Sequence, residues 1–266
     1  MERRIGRVNI MLSNAKALTG YRLQSLDGEI GRVREFYFDD KFWAIRYLVA
    51  DTGNWLTGRM VLISPYALTQ VSREETNISV NLTQKQIEES PSLDSDKPVS
   101  LQFETSYYGY YGWPMYWGGA SMWGNYPYIV PEFERSSEQN LETNPWNPHL
   151  RSTKHVAGYQ IQASDGAVGH VVDFVVDNQT WAIRYLVVDT SGLWTGVKVL
   201  IAPHWIESIG WAESKVFVNL NCESIKQSPV YDEELLVTRD YEAKLHRHYG
   251  RQGYWFEPPT GDALLL

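Results

Sequence analysis

Few residues of this chain have types and spacings fit for chemistry: one cysteine, Cys222; a His-X-His pair, His246 and His248; and two acid–hydroxyl pairs, Asp51-Thr52 and Asp189-Thr190. An internal duplication at a spacing of 138 residues gives each of them a counterpart, and the counterparts weaken the chemical readings. Cys222 aligns with Gln84, His246 with Tyr108 and His248 with Tyr110. A lone thiol forms no intramolecular disulfide, and it becomes a nucleophile only where its surroundings favour the thiolate. The histidine pair has no cysteine or third histidine nearby to complete a ligand set. An aspartate followed by threonine at a strand end bonds its own backbone in a turn more readily than it performs acid–base work. Outside the repeat, Glu132, Glu134 and His149 are scattered. The expectation is a protein without catalytic residues, cofactor or metal.

The duplicated framework carries binding residues instead. Trp43-Ala44-Ile45-Arg46-Tyr47-Leu48-Val49 recurs as Trp181-Ala182-Ile183-Arg184-Tyr185-Leu186-Val187. Period two puts Trp43, Ile45, Tyr47 and Val49 on one face of a strand and Ala44, Arg46, Leu48 and Ala50 on the other. Both faces are largely apolar, so one fills a core and the other needs a cover, from the helix of the same copy or from the sister copy. Arg46 and Arg184 then need a carboxylate, from Glu35 or Asp39 and from Asp173 or Asp177, or they reach to water along their own stems. Trp55 aligns with Leu193 and Leu56 with Trp194, so a bulky ring moves one place between copies. A strand cannot allow that without turning the ring to its other face, whereas a loop can. Trp55 and Trp194 are candidate anchors for a protein partner, alongside Arg46, Arg184, Trp43 and Trp181.

The elements that must position these residues follow from the repeat. Lys16 to Trp117 matches Lys154 to Trp255 without a gap. The domains read as 14–117, a linker at 118–150 rich in Gly, Pro and Asn, 151–257, and a tail at 258–266. Each copy opens on Asp-Gly, Asp27-Gly28 or Asp165-Gly166, a tight-turn signal between short alternating runs. Runs rich in Val, Ile, Tyr and Phe follow at Ile30–Phe38, Ala44–Asp51, Arg59–Ile63, Leu68–Ser72 and Ile78–Leu82, giving six short strands per copy. A short helix follows at Thr83–Ser90 and at Asn221–Ser228, each stopped by a proline. Beyond it lies an arm rich in rings, of which Tyr-Gly and Tyr-Trp pairs survive in both copies, and these rings are expected to dock on the sheet.

Composition bounds the partners. The chain has 266 residues and a net charge of −8, with the acidic excess concentrated after the first copy. A surface that tracks phosphates needs clustered Lys and Arg, so direct nucleic-acid binding is not expected. The longest apolar runs are strand-length, far short of the roughly 20 residues of a membrane helix. Asn9, Ser13, Asn14 and Lys16 interrupt any leader-like stretch, which leaves a cytoplasmic location as the expectation.

The pattern Gly-Tyr, Asp-Gly, Gly31, Phe36, Asp39, Trp-Ala-Ile-Arg-Tyr-Leu-Val and Val61-Leu62-Ile63-Ser64-Pro65 resembles the PRC-barrel family. That family includes the cytoplasmic domain of the photosynthetic reaction-centre H subunit and the C-terminal barrel of a ribosome-maturation factor. The resemblance implies an all-β protein of two tandem six-stranded PRC-type barrels, each with a short helix and an aromatic C-terminal arm, that pair with each other. It implies a non-catalytic intracellular protein-binding or scaffolding module, tied to a photosynthetic reaction centre or another assembly. It brings no catalytic residues with it, and neither the membrane helix of the H subunit nor the N-terminal domain of the ribosome factor is expected here. The alternative is a small-molecule sensor or enzyme with a site in the cleft between the barrels.

Overall fold

The structure is a computed structural model that describes residues 11–53, 55–56, 59–91, 99, 101–115, 149–191 and 196–255. The first half runs β1 (Leu12–Asn14), α1 (Ala15–Leu18), β2 (Arg22–Gln24), β3 (Glu29–Asp39), β4 (Ala44–Asp51), β5 (Met60–Ile63), β6 (Leu68–Ser72), β7 (Asn77–Val80), α2 (Gln84–Glu88) and α3 (Leu101–Tyr111). The second half repeats it as β8 (Leu150–Ser152), α4 (Thr153–Val156), β9 (Gln160–Ala163), β10 (Gly166–Asp177), β11 (Ile183–Asp189), β12 (Lys198–Ile201), β13 (Ile206–Gly210), β14 (Lys215–Val218), α5 (Cys222–Lys226) and α6 (Arg239–His248). The protein is mostly β, in two mixed sheets.

Their strand orders are β5-β4-β3-β2-β7-β6 and β12-β11-β10-β9-β14-β13, antiparallel except for β2 beside β7 and β9 beside β14. Closed six-stranded barrels are not what forms. Each path is open, and each sheet has a seventh strand. The openings fall between β5 and β6 and between β12 and β13. There Pro65 and Pro203 begin 3-10 turns and offer no N–H to a ladder.

The seventh strand is exchanged. β1, from the start of the first half, pairs with β10 of the second, and β8 pairs with β3 of the first. Between these contacts Ile45 N donates to Trp181 O at 2.8 Å and Ile183 N to Trp43 O at 2.7 Å, a symmetric bridge at Ala44 and Ala182. Phe38 and Phe174 meet with ring centroids 5.7 Å apart, so one core runs through both halves. The geometry is that of a two-fold dimer written on one chain.

The expected alternation along β4 fails at one residue. Tyr37 pairs with Tyr47 but Phe38 pairs with Ile45, so Arg46 is an extra, bulged residue. In the second half Val175 pairs with Tyr185 and Val176 with Ile183, which bulges Arg184. A bulge reverses the parity of everything beyond it. Ile45 and Leu48 therefore share the main core, while Tyr47 and Val49 look the other way. That outer face is covered by α3 of the same half, through the buried rings of Tyr107 and Tyr108.

Candidate functional site

The bulged arginines are the first groups to place. Asp39 ends β3 and turns the chain, its Oδ1 accepting from Lys41 N at 2.8 Å and Phe42 N at 3.1 Å. This turn ends at Trp43, which sits in the left-handed region at φ 54°, as Trp181 does at φ 56°. Oδ2 of Asp39 is left for Arg46 Nη2 at 3.3 Å, and Oδ2 of Asp177 holds Arg184 Nη2 at 2.7 Å. Of the alternatives left by the sequence, the turn aspartates are the partners. Arg46 and Arg184 are buried at 1% and 6% exposure and Trp181 at 5%, while Trp43 stacks on Phe38. Three of these four candidates are buried, and Trp43 is half-buried.

Glu35 and Asp173, the other two carboxylates, lie where the halves cross. Asp173 Oδ1 accepts from Lys16 N at 3.1 Å, so it caps the first turn of α1 from the opposite half. Ser152 caps α4 and donates its hydroxyl to Glu35. Burial pushes the Asp173 carboxyl up to about 6. A groove of about 310 Å³ opens here, lined by Lys16, Lys154, Arg34, Glu35 and Asp173. The groove is lined from both halves.

The arms are helical, which the sequence reading did not expect. α3 delivers Glu104, fully buried, to the hydroxyl of Tyr47 at 2.8 Å. α6 delivers Glu242 to the hydroxyl of Tyr185, also at 2.8 Å. Beyond α3, Trp113 stacks on Tyr111 with centroids 4.4 Å apart and on Tyr66 at 5.7 Å. These rings, with Tyr110, Asn81 and Gln86, line a surface groove of about 360 Å³. Tyr110 is 41% exposed. The aligned positions of the second half are His204, Tyr249, Arg251 and His248, so that half does not repeat the aromatic wall.

The remaining candidates have structural occupations. Asp51 Oδ1 accepts from Gly53 N, and Thr52 Oγ1 donates to the carbonyls of Leu56 and Arg59. Asp189 and Thr190 make the matching contacts to Ser191 N and Val197 O. Desolvation pushes the Cys222 thiol up to about 11, away from the thiolate a nucleophile needs. His246 and His248 do not converge: His246 faces Tyr185, and His248 Nε2 lies 2.7 Å from Ser224 O. Among the described residues no group of three or more metal-binding side chains assembles. His149 Nδ1 lies 2.9 Å from Asp40 Oδ1. Trp55 is half-buried and packs against the core, and Trp194, Glu132 and Glu134 lie outside the described residues. No helix among the described residues is long and apolar enough to cross a membrane.

Compared with known proteins, the chain matches no family model, and no curated protein matches it either.

Proposed function

We propose that this protein is a non-catalytic protein-binding or scaffolding module built from two PRC-like open sheets that exchange strands, and that a partner docks on the aromatic groove of the first half. The observation that carries this reading is an aromatic groove that is open at the surface, with Tyr110 41% exposed. The aspartates, threonines and arginines singled out by type are occupied in turns, clasps and caps, whereas Tyr66, Tyr110, Tyr111 and Trp113 line an open groove beside Asn81 and Gln86. Rings of this kind are favoured anchors in protein interfaces. An intracellular setting and an assembly such as a reaction centre follow from the family resemblance only.

The test is cross-linking capture from host extract with Tyr110→Ala, at an exposed position, beside the unmodified chain. A protein captured by the unmodified chain and lost from the variant at equal thermal stability supports the reading. Unchanged capture moves the interface elsewhere, and turnover of a substrate by the purified chain ends the non-catalytic reading.

A second reading rests on the groove between the halves, where Lys16, Lys154 and Arg34 meet Glu35 and Asp173. Such a mixed lining suits a small zwitterion. A thermal-shift screen with amino acids and related zwitterions tests it, and Asp173→Asn should erase any shift found.

A further inference from the structure

The arm of the second half closes on its sheet through a chain of side chains whose hydrogens can be counted. Tyr185 Oη lies 2.8 Å from Glu242 Oε1 and 3.1 Å from His246 Nε2, and His246 Nδ1 lies 3.1 Å from the carbonyl oxygen of Gln252. A carbonyl only accepts, so Nδ1 carries a hydrogen. Tyr185 owns a single hydrogen and stands between two acceptors. Its two contacts therefore need one proton more than an ionised glutamate and a neutral histidine supply. Glu242 and His246 are each 2% exposed. Burial pushes the Glu242 carboxyl up and holds His246 down at about 4, so of the two Glu242 is the readier holder of the extra proton. With the proton there, Glu242 donates to Tyr185 and Tyr185 to Nε2; with it gone, Tyr185 donates to Glu242.

The charged and titratable groups around this chain come from four elements. Arg239 of α6 reaches Glu242 Oε2 at 2.9 Å and favours release of the proton. Arg184 of β11 is held by Asp177, and His204 of the 3-10 turn stacks on His246 with centroids 5.7 Å apart. From the end segment, Tyr254 lies under Arg184 at 4.0 Å and Trp255 abuts His246 at 5.0 Å.

The first half is a built-in control. Tyr108 stands where the second half has His246; there Tyr47 donates to Glu104 at 2.8 Å, and the Tyr108 hydroxyl, able both to donate and to accept, lies 3.5 Å from Ser64 Oγ. A hydroxyl beside Tyr47 can donate or accept as required, so an ionised Glu104 is satisfied with no borrowed proton.

We propose that Glu242, Tyr185 and His246 form a proton-operated latch on the segment Gln252–Trp255. When the O–H bond of Glu242 breaks, its proton leaves to water and Tyr185 turns to donate to the carboxylate. The imidazole hydrogen then moves from Nδ1 to Nε2, where it faces Tyr185 Oη. One proton is released in all, and the carbonyl of Gln252 loses its donor. The segment thereby loses one of its ties, while Arg184 and Arg239 remain over the rings of Tyr254 and Trp255. The latch acts at the opposite half from the aromatic groove, so it stands or falls independently of the partner reading.

The experiment follows the imidazole nitrogens of His246 in the full-length, 15N-labelled chain from about pH 5 to about pH 9, with amide exchange at residues 252–255. The expected result is a change from the Nδ1–H to the Nε2–H tautomer as pH rises, with exchange at 252–255 faster by about tenfold, what one lost hydrogen bond allows. Glu242→Gln gives Tyr185 a permanent donor and leaves an oxygen for Arg239, so it should hold the Nδ1–H form and reduce the exchange step to under about twofold. His246→Tyr copies the first half and should abolish the step. An unchanging tautomer in the unmodified chain overturns the proposal, as does a step that survives in Glu242→Gln. Should His246→Tyr fail to fold, the other two proteins decide the matter.

Discussion

Asp177→Asn probes the buried clasp and the exchange of strands together. Asparagine keeps the side-chain oxygen that accepts from Gln179 N and Thr180 N, so the turn survives, but the charge facing Arg184 is removed. The Arg184 and Asp177 side chains are 5% and 2% exposed, so the guanidinium is left in a site from which water is largely excluded. Breaking a buried pair from one side costs about 3–5 kcal/mol. For a cooperative body of this size each kcal/mol lowers the midpoint by about 2 °C, which gives a fall of about 6–10 °C. Because β1 and β8 are exchanged and one core runs through both halves, the fall should appear in a single calorimetric transition of the whole chain. Adding Arg184→Met to Asp177→Asn should recover most of the loss, since an apolar group of similar volume no longer needs a counter-charge. Two transitions, of which one moves and one stays, would refute the shared core. A fall under about 2 °C would refute the burial argument for the clasp.

Gly31 takes φ 132° where a Cβ would lie 2.1 Å from Asp51 O, so Gly31→Ala should lower stability to urea by at least about 3 kcal/mol. Cys222, with its thiol pushed up to about 11, should react with iodoacetamide at pH 8 at least about tenfold more slowly than an unhindered cysteine in a peptide. His246 is held down at about 4 in the folded state, whereas the unfolded chain takes its proton near 6.5. Its contribution to stability is therefore lost as pH falls from about 6.5 towards 4, by up to about 3 kcal/mol, and urea titrations of His246→Tyr should lack that part of the acid limb.

The duplication made the symmetry of the fold legible, and the alternating runs placed the strands within a few residues. What escaped the reading has separate physical causes. Period two is a rule about unbroken ladders, and Arg46 breaks the ladder by one residue, so half of the β4 face assignments inverted. The exchange of β1 and β8 escaped because these strands are three residues long and precede Lys16 and Lys154, where the identity between copies begins. α6 was legible in principle: Thr238 caps it, Asp240 and Glu242 stand in its first turn and His246, Arg247 and His248 in its last. The rings of the arm drew attention to docking and away from that pattern. α3, rich in tyrosine and carrying Gly109, has weak helical propensity and owes its form to the face of Tyr47 and Val49 that it covers.

The two halves differ in a way that separates scaffold from function. Pairs that the fold needs are the same in both: Asp39–Arg46 and Asp177–Arg184, the left-handed Trp43 and Trp181, and Gly31 and Gly169, whose missing Cβ atoms leave room for Asp51 O and Asp189 O. The pairs that differ gather around the arms: Tyr66 against His204, Tyr108 against His246, and Tyr110 against His248. A change at an exchanged strand or a clasp would be felt by both halves, because each half is completed by the other. An arm is served by its own half, so it can change without breaking the symmetry of the core. The first arm keeps tyrosines and with them an aromatic groove; the second takes histidines and with them a hydrogen-bond chain that needs a proton. On the two proposals made above, one folded body would present a docking surface on one half and a titratable closure on the other.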